Sequence, residues 1–251
     1  MHTQPHAAPL THTPQTVHHG RTMGHVISGD GTRIEYERLG QGPALILVDG
    51  AMCSRAFGPM PKLAPLLARQ FTVFMYDRRG RGGSGDTQPY TRERELEDLA
   101  ALMEAAGGSA ALLGLSSGAA LALEAAAGGL PVTRVAAYEP PYVYQQSGVD
   151  GPDHLAALQR MLANNERGNM VTYFMKDMVN VPGFVVVMMR VMFWMWPKLK
   201  AVAHTLPYDT IIMDGFRVPS ARLARISVPT LLMHGGKGRR MSLPSPSSHL
   251  R

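Results

Sequence analysis

The sequence predicts an α/β fold, a mostly parallel sheet with flanking helices and an inserted helical lid. Three observations lead there. Short apolar runs alternate with segments of helical period from Val26 to Tyr138. One of these runs, Ala44-Leu45-Ile46-Leu47-Val48, is apolar throughout, as a strand buried on both faces should be. After Pro140 the rhythm gives way to a long helical stretch, and a single strand-like run returns at Pro229-Thr230-Leu231-Leu232-Met233.

Residues 1–22 are polar and hold five of the ten histidines without regular metal-ligand spacing, so we expect a disordered leader. They lack the apolar segment of a signal peptide. Met23 directly precedes the first strand-like run, which makes it a candidate translation start. Gly29-Asp30-Gly31 predicts a hairpin turn between Val26-Ile27 and Ile34-Glu35-Tyr36. A helix is expected over residues 57–70, with Leu63, Leu66 and Leu67 at helical spacing. Phe71 to Tyr76 is the next strand, and Asp77 to Gly85 is a glycine-rich loop. A helix from Thr91 to Ala106 presents Leu96, Leu99 and Met103 on one face and stops at Gly107-Gly108. Ala110 to Leu115 is a strand, Gly114-Leu115-Ser116-Ser117-Gly118 a sharp turn, and the alanine-rich run beyond it a helix. Arg134 to Tyr138 is another strand.

This order divides the chain into 1–22 (leader), 23–139 (first part of the core), 140–225 (helical lid), 226–237 (returning strand) and 238–251 (disordered tail). The lid holds nine of the seventeen methionines, from Met161 to Met213, which suit either an apolar pocket wall or a buried helix. The apolar run from Val181 to Trp196 is too short to span a bilayer and is interrupted by Arg190.

Composition narrows the functional classes. The net charge of +6 is moderate and is placed partly in Arg78-Arg79-Gly80-Arg81. We expect these arginines to be a solvated surface and the protein to bind no nucleic acid. The one cysteine, Cys53, fits a reducing compartment, so a cytoplasmic location is expected; its bland role is packing. No Lys-Ser/Thr follows the glycines at 80–85 as a phosphate loop requires, so nucleotide binding there is a poor reading. No metal site and no cofactor are expected, and oligomeric state is not legible.

In a parallel sheet, reacting groups gather at the carboxyl ends of strands. Asp49-Gly50-Ala51, Asp77-Arg78, Ser116 and Glu139 all fall there. G-x-S-x-G at a strand-turn-helix junction holds a serine hydroxyl on a tight elbow, at a helix N-terminus that favours negative charge. The alternative at this point is a plain Gly/Ser loop.

In sum, the chain from Met23 to Lys237 resembles the α/β-hydrolase family. Asp49-Gly50 takes the place of the family's His-Gly turn, and Asp77 to Ser84 looks like its D-x-R-G-x-G-x-S loop. Gly114 to Gly118 looks like the nucleophile elbow, and Val228 to Gly235 like the strand before the acid loop. The resemblance implies a serine hydrolase acting on an ester or similar acyl bond of a small apolar substrate. It implies Ser116 as nucleophile, with the Ala51 and Ser117 N–H groups as oxyanion hole. The family's usual acid position falls at Lys237 to Arg239, which leaves Glu139 as the alternative acid. The catalytic histidine has no counterpart: His234 suits a core or turn, and His249 lies in the Ser/Pro tail. We therefore expect the last strand-helix unit to be missing, through truncation or a reading-frame change near Lys237, leaving the 229–233 strand as an apolar edge. The alternatives are an inactive hydrolase-fold protein, a cofactor-free haloperoxidase, and a carbon–carbon bond hydrolase.

Overall fold

The computed structural model describes residues 20–142 and 152–235. The leader up to residue 19, the start of the expected lid at 143–151, and the tail from 236, with His249, lie outside the described residues.

β1 (Thr22–Ile27) and β2 (Arg33–Leu39) form the expected hairpin, closed by Ser28 N–H on the Thr32 carbonyl. Next come β3 (Ala44–Val48), α1 (Met60–Leu67) and β4 (Thr72–Tyr76). They are followed by α2 (Arg92–Ala105), β5 (Ala110–Leu115), α3 (Ser117–Ala127) and β6 (Val132–Tyr138). Among the described residues the sheet has the order β1-β2-β4-β3-β5-β6-β7, where β7 is Thr230–Met233. The β1/β2 and β2/β4 pairs are antiparallel, and every pair from β4 to β7 is parallel.

Strand alternation sorts the core onto two faces. Ile46, Val48, Phe74, Tyr76 and Leu112 pack on one side with Leu99, Leu102 and Met103 of α2 and the alanines of α3. Leu45, Leu47, Val73 and Met75 pack on the other with Met60 and Ala64 of α1. Leu63 and Leu67 pack against this cluster as well, whereas Leu66 is 58% exposed.

The segment after β6 is helical, as expected. It holds α4 (His154–Ala163), α5 (Arg167–Tyr173), a π-helical turn at Phe174–Met178, α6 (Gly183–Val191) and α7 (Trp196–Val202). These make a separate apolar cluster with Leu158, Met170, Val171, Phe174 and Met175, which meets Ala51, Met52 and Phe57 of the loop after β3. From α8 (Leu206–Ile212) the chain returns to the sheet: Ile212 belongs to the sheet core, and Val218, Ile226 and Leu223 of α9 (Ser220–Leu223) pack against it. β7 then forms the sheet edge among the described residues, with Leu231 and Leu232 about half exposed. No described helix is long and apolar enough to cross a membrane.

Candidate functional site

Close packing of backbone on backbone shapes the turn between β5 and α3. A Cβ on Gly114 would collide with the Gly118 carbonyl and the Ala119 backbone, and one on Gly118 would collide with the carbonyls of Val48 and Asp49. Small residues at both positions let α3 start directly against the end of β3. Ser116 sits between them with φ 53° and ψ −122°, a conformation that costs an L-residue on the order of 1–3 kcal/mol. Its N–H is held by the Tyr138 carbonyl at 2.9 Å, and its own carbonyl accepts from Ala119 and Ala120, the first bonds of α3.

The loop after β3 lies beside this serine. A Cβ on Gly50 would be 3.4 Å from Ser116 Cβ and 3.1 Å from the Leu115 carbonyl. The Gly50 N–H is taken by Asp49 Oδ1 at 3.0 Å. By contrast, neither the Ala51 N–H nor the Ser117 N–H donates a hydrogen bond to a described residue. The first stands in the loop beside the serine, and the second at the positive end of α3.

Beneath the two loops lies a buried ionic network, which corrects the expectation of a solvated arginine run. Arg78, Arg79 and Arg81 are each about 1% exposed. Arg78 holds Glu95 with two bonds of 2.6 Å, Asp209 of α8 at 2.8 Å, and the Asp49 carbonyl at 3.3 Å. Arg81 donates to Asp209 and to the Gly50 carbonyl, both at 2.7 Å, and to Thr205 at 3.1 Å. The Ser117 hydroxyl donates to Asp209 at 2.7 Å. Arg79 makes its own two-pronged pair with Asp98 and reaches Asp30. The physical reason for the reversal is that three guanidinium groups with nearly full sets of acceptors can leave water, whereas unpaired ones could not. The sequence shows the arginines but not that Asp209 returns to them from far along the chain.

Two neighbouring groups are shifted. Burial pushes the Asp49 carboxyl up to about 6, against the pull of the Gly50 N–H, Cys53, Arg81 and Arg78. Burial and the adjacent Asp49 push the Cys53 thiol up to about 12, so it is a thiol and not a thiolate at neutral pH, in keeping with packing. For Asp209, burial works against ionisation, yet Arg81 and Arg78 outweigh it and hold its carboxyl below the usual range.

Glu139 stands at the end of β6, exposed, with φ 49°. Its N–H donates to the Met233 carbonyl at 2.8 Å and its Oε1 accepts from Gly235 N–H at 2.9 Å, so it ties β6 to the chain leaving β7. The four described histidines are engaged elsewhere. His25 faces Arg33, His154 meets the Tyr173 hydroxyl at 2.9 Å, and His204 lies between Arg167 and Asp86. His234 is exposed just beyond β7, with Nδ1 2.9 Å from the Gly235 carbonyl, which corrects its core alternative in favour of the turn. Among the described residues no hydrogen bond is made to the Ser116 hydroxyl. No cluster of described His, Cys, Asp or Glu side chains has the arrangement of a metal site.

Comparison with known proteins extends the reading of the fold. An alpha/beta hydrolase from Sphaerobacter thermophilus DSM 20745 is 52% identical, with 86% of this chain and 83% of that one covered and a TM-score of 0.79. A 2-hydroxy-6-oxo-6-phenylhexa-2,4-dienoate hydrolase from Rhodococcus sp. strain RHA1 is 22% identical over 87% and 82% of the two chains, with a TM-score of 0.59. An enol-lactonase from Burkholderia xenovorans LB400 is 21% identical over 85% and 81%, with a TM-score of 0.57. These last two share the fold. A model described as the alpha/beta hydrolase family matches residues 42–250, most of the chain, and with the sheet order described above it assigns this protein to that family.

Proposed function

We propose that this protein is a serine hydrolase that cleaves an ester or similar acyl bond of a small apolar substrate. One observation carries the reading. Ser116 is held at a strained backbone angle at the head of α3, beside two N–H groups that no described residue uses. A carbonyl carbon over Ser116 Oγ would bring its oxygen toward the Ala51 and Ser117 N–H groups. Charge developing on that oxygen in the tetrahedral state would be stabilised by these two donors, which no described residue uses. In this reading Ser116 is the nucleophile and Ala51 with Ser117 the oxyanion hole. Glu139 is the acid, its Oε2 left to orient a histidine while Oε1 holds Gly235 N–H. The helices α4 to α7 serve as the lid, and the single thiol suits the cytoplasm. Neither a cofactor nor a metal is invoked.

The Ser116 proton needs a base, and each described histidine is committed to other partners. That observation favours a second reading, an inactive hydrolase-fold protein, because a serine without a base is a poor nucleophile. Hydrolysis of a p-nitrophenyl ester by the full chain and by Ser116→Ala separates the two. A loss of about a thousandfold or more in the variant supports the nucleophile. Equal rates in both proteins overturn it and leave the inert fold.

A further inference from the structure

The helical segment carries an apolar surface that the proposed reaction does not use. Val186 of α6 is buried and Met189 packs with it against the cluster formed by α4 to α7. The opposite side of the helix and the turn after it are bare: Phe184, Val187, Met188, Val191, Phe193 and Trp194 are all more than half exposed, with Val191 at 74% and Phe193 at 82%. Phe193 and Trp194 stand edge to face, with ring centroids 5.1 Å apart. Exposed apolar side chains grouped along one helix and its following turn mark an interaction surface.

Charge identifies the occupant. From Lys176 to Lys200 the sequence carries Lys176, Arg190, Lys198 and Lys200 against the single acid Asp177. Arg190, Lys198 and Lys200 form no ion pair among the described residues. Arg190 lies 5.6 Å from the Trp196 ring centre, and Lys198 Nζ lies 6.0 Å from that of Phe57. In a two-fold contact between copies of this chain the same net-positive face would lie on both sides of the interface. A bilayer surface with anionic headgroups offers the opposite. Its acyl boundary takes Phe184, Val191 and Phe193, its interfacial zone suits Trp194, and its phosphates neutralise the basic side chains.

We propose that this face, centred on α6 and the turn at Met192–Met195, docks the protein on an anionic lipid surface without crossing it. Flotation of the full chain with phosphatidylcholine vesicles, with and without phosphatidylglycerol, tests the proposal. The protein is expected to float with the mixed vesicles, more weakly with neutral ones, and to be released by salt. The Phe184→Ser/Phe193→Ser variant should lose about tenfold or more in vesicle affinity. The Lys198→Glu/Lys200→Glu variant should lose the preference for phosphatidylglycerol. Both variants change exposed side chains, and their circular dichroism should match the parent. A parent protein that stays in the aqueous fraction with both vesicle types overturns the proposal. So does a phenylalanine variant that floats as well as the parent. A parent that sediments as a dimer, turns monomeric in the phenylalanine variant and binds neither vesicle type makes the face a subunit interface instead.

Discussion

The turn after β4 and the segment spanning α6 and α7 treat their side chains in opposite ways. The first carries Arg78, Arg79 and Arg81 and buries all three. The second is one of the most apolar stretches of the chain and leaves Phe184, Val191 and Phe193 in the open. The difference shows that burial here follows the supply of partners and not polarity alone. Each buried guanidinium is met by carboxylates, hydroxyls or carbonyls, whereas one face of α6 has packing partners and the other is exposed among the described residues. The ionic turn also does something the apolar segment cannot. By holding the Asp49 and Gly50 carbonyls and the Ser117 hydroxyl, it fixes the two loops on either side of Ser116.

The sharpest way to break the contrast is Asp209→Ala. It removes the carboxylate shared by Arg78, Arg81 and Ser117 and strands charge in the interior, so unfolding in urea should show a loss of about 3–5 kcal/mol. Asp49→Asn is expected to act in the other direction, and its sign depends on pH. The folded carboxyl titrates near 6, above its ordinary value of 3.8. Between those values the native state keeps a proton that the unfolded chain has released, so this group's contribution to stability falls as pH rises through that window. The asparagine variant should match the parent near pH 4 and exceed it near pH 8 by up to about 3 kcal/mol, read from denaturation midpoints at the two pH values.

Smaller effects sharpen the comparison. Ser116→Gly should relieve the strained backbone and raise stability by about 1 kcal/mol in thermal unfolding, while Ser116→Ala, strained in the same way, should not. Phe184→Ser/Phe193→Ser should change the unfolding free energy by less than about 0.5 kcal/mol, since both rings are exposed. A large loss there would mean that the apolar face is packed against something in the free protein.

Local signals were enough to read the architecture. The buried runs at β3, β4 and β5, the hairpin at Gly29 to Gly31 and the two glycines around Ser116 each had a local cause visible in the sequence, and each lies where it was expected. What stayed hidden was set by distant partners. Nothing near Arg78 indicates that Glu95 and Asp209 will close around it, and a run of arginines then reads as solvated surface. Leu66 of α1 is a related case: it shares helical spacing with Leu63 and Leu67, but only those two pack on the sheet beneath. Asp49 is a third case, an acidic residue at a strand end whose shifted titration comes from burial that only the assembled loops create.

The placement of Asp209 also constrains the order in which the chain can assemble. Its partners Arg78 and Arg81 lie 131 and 128 residues earlier, and β7 closes on β6 only after the whole helical segment has been traversed. Contacts of that sequence separation carry a loop-closure cost before they return any stability, so they form late. During synthesis the hairpin and the first parallel strands can gather while the arginines keep their water. The full pairing of that turn is expected only once α8 brings Asp209 to it. The turn of Ser116 itself rests on β5, β6 and α3, so what waits for α8 is the ionic support beneath the two loops beside it.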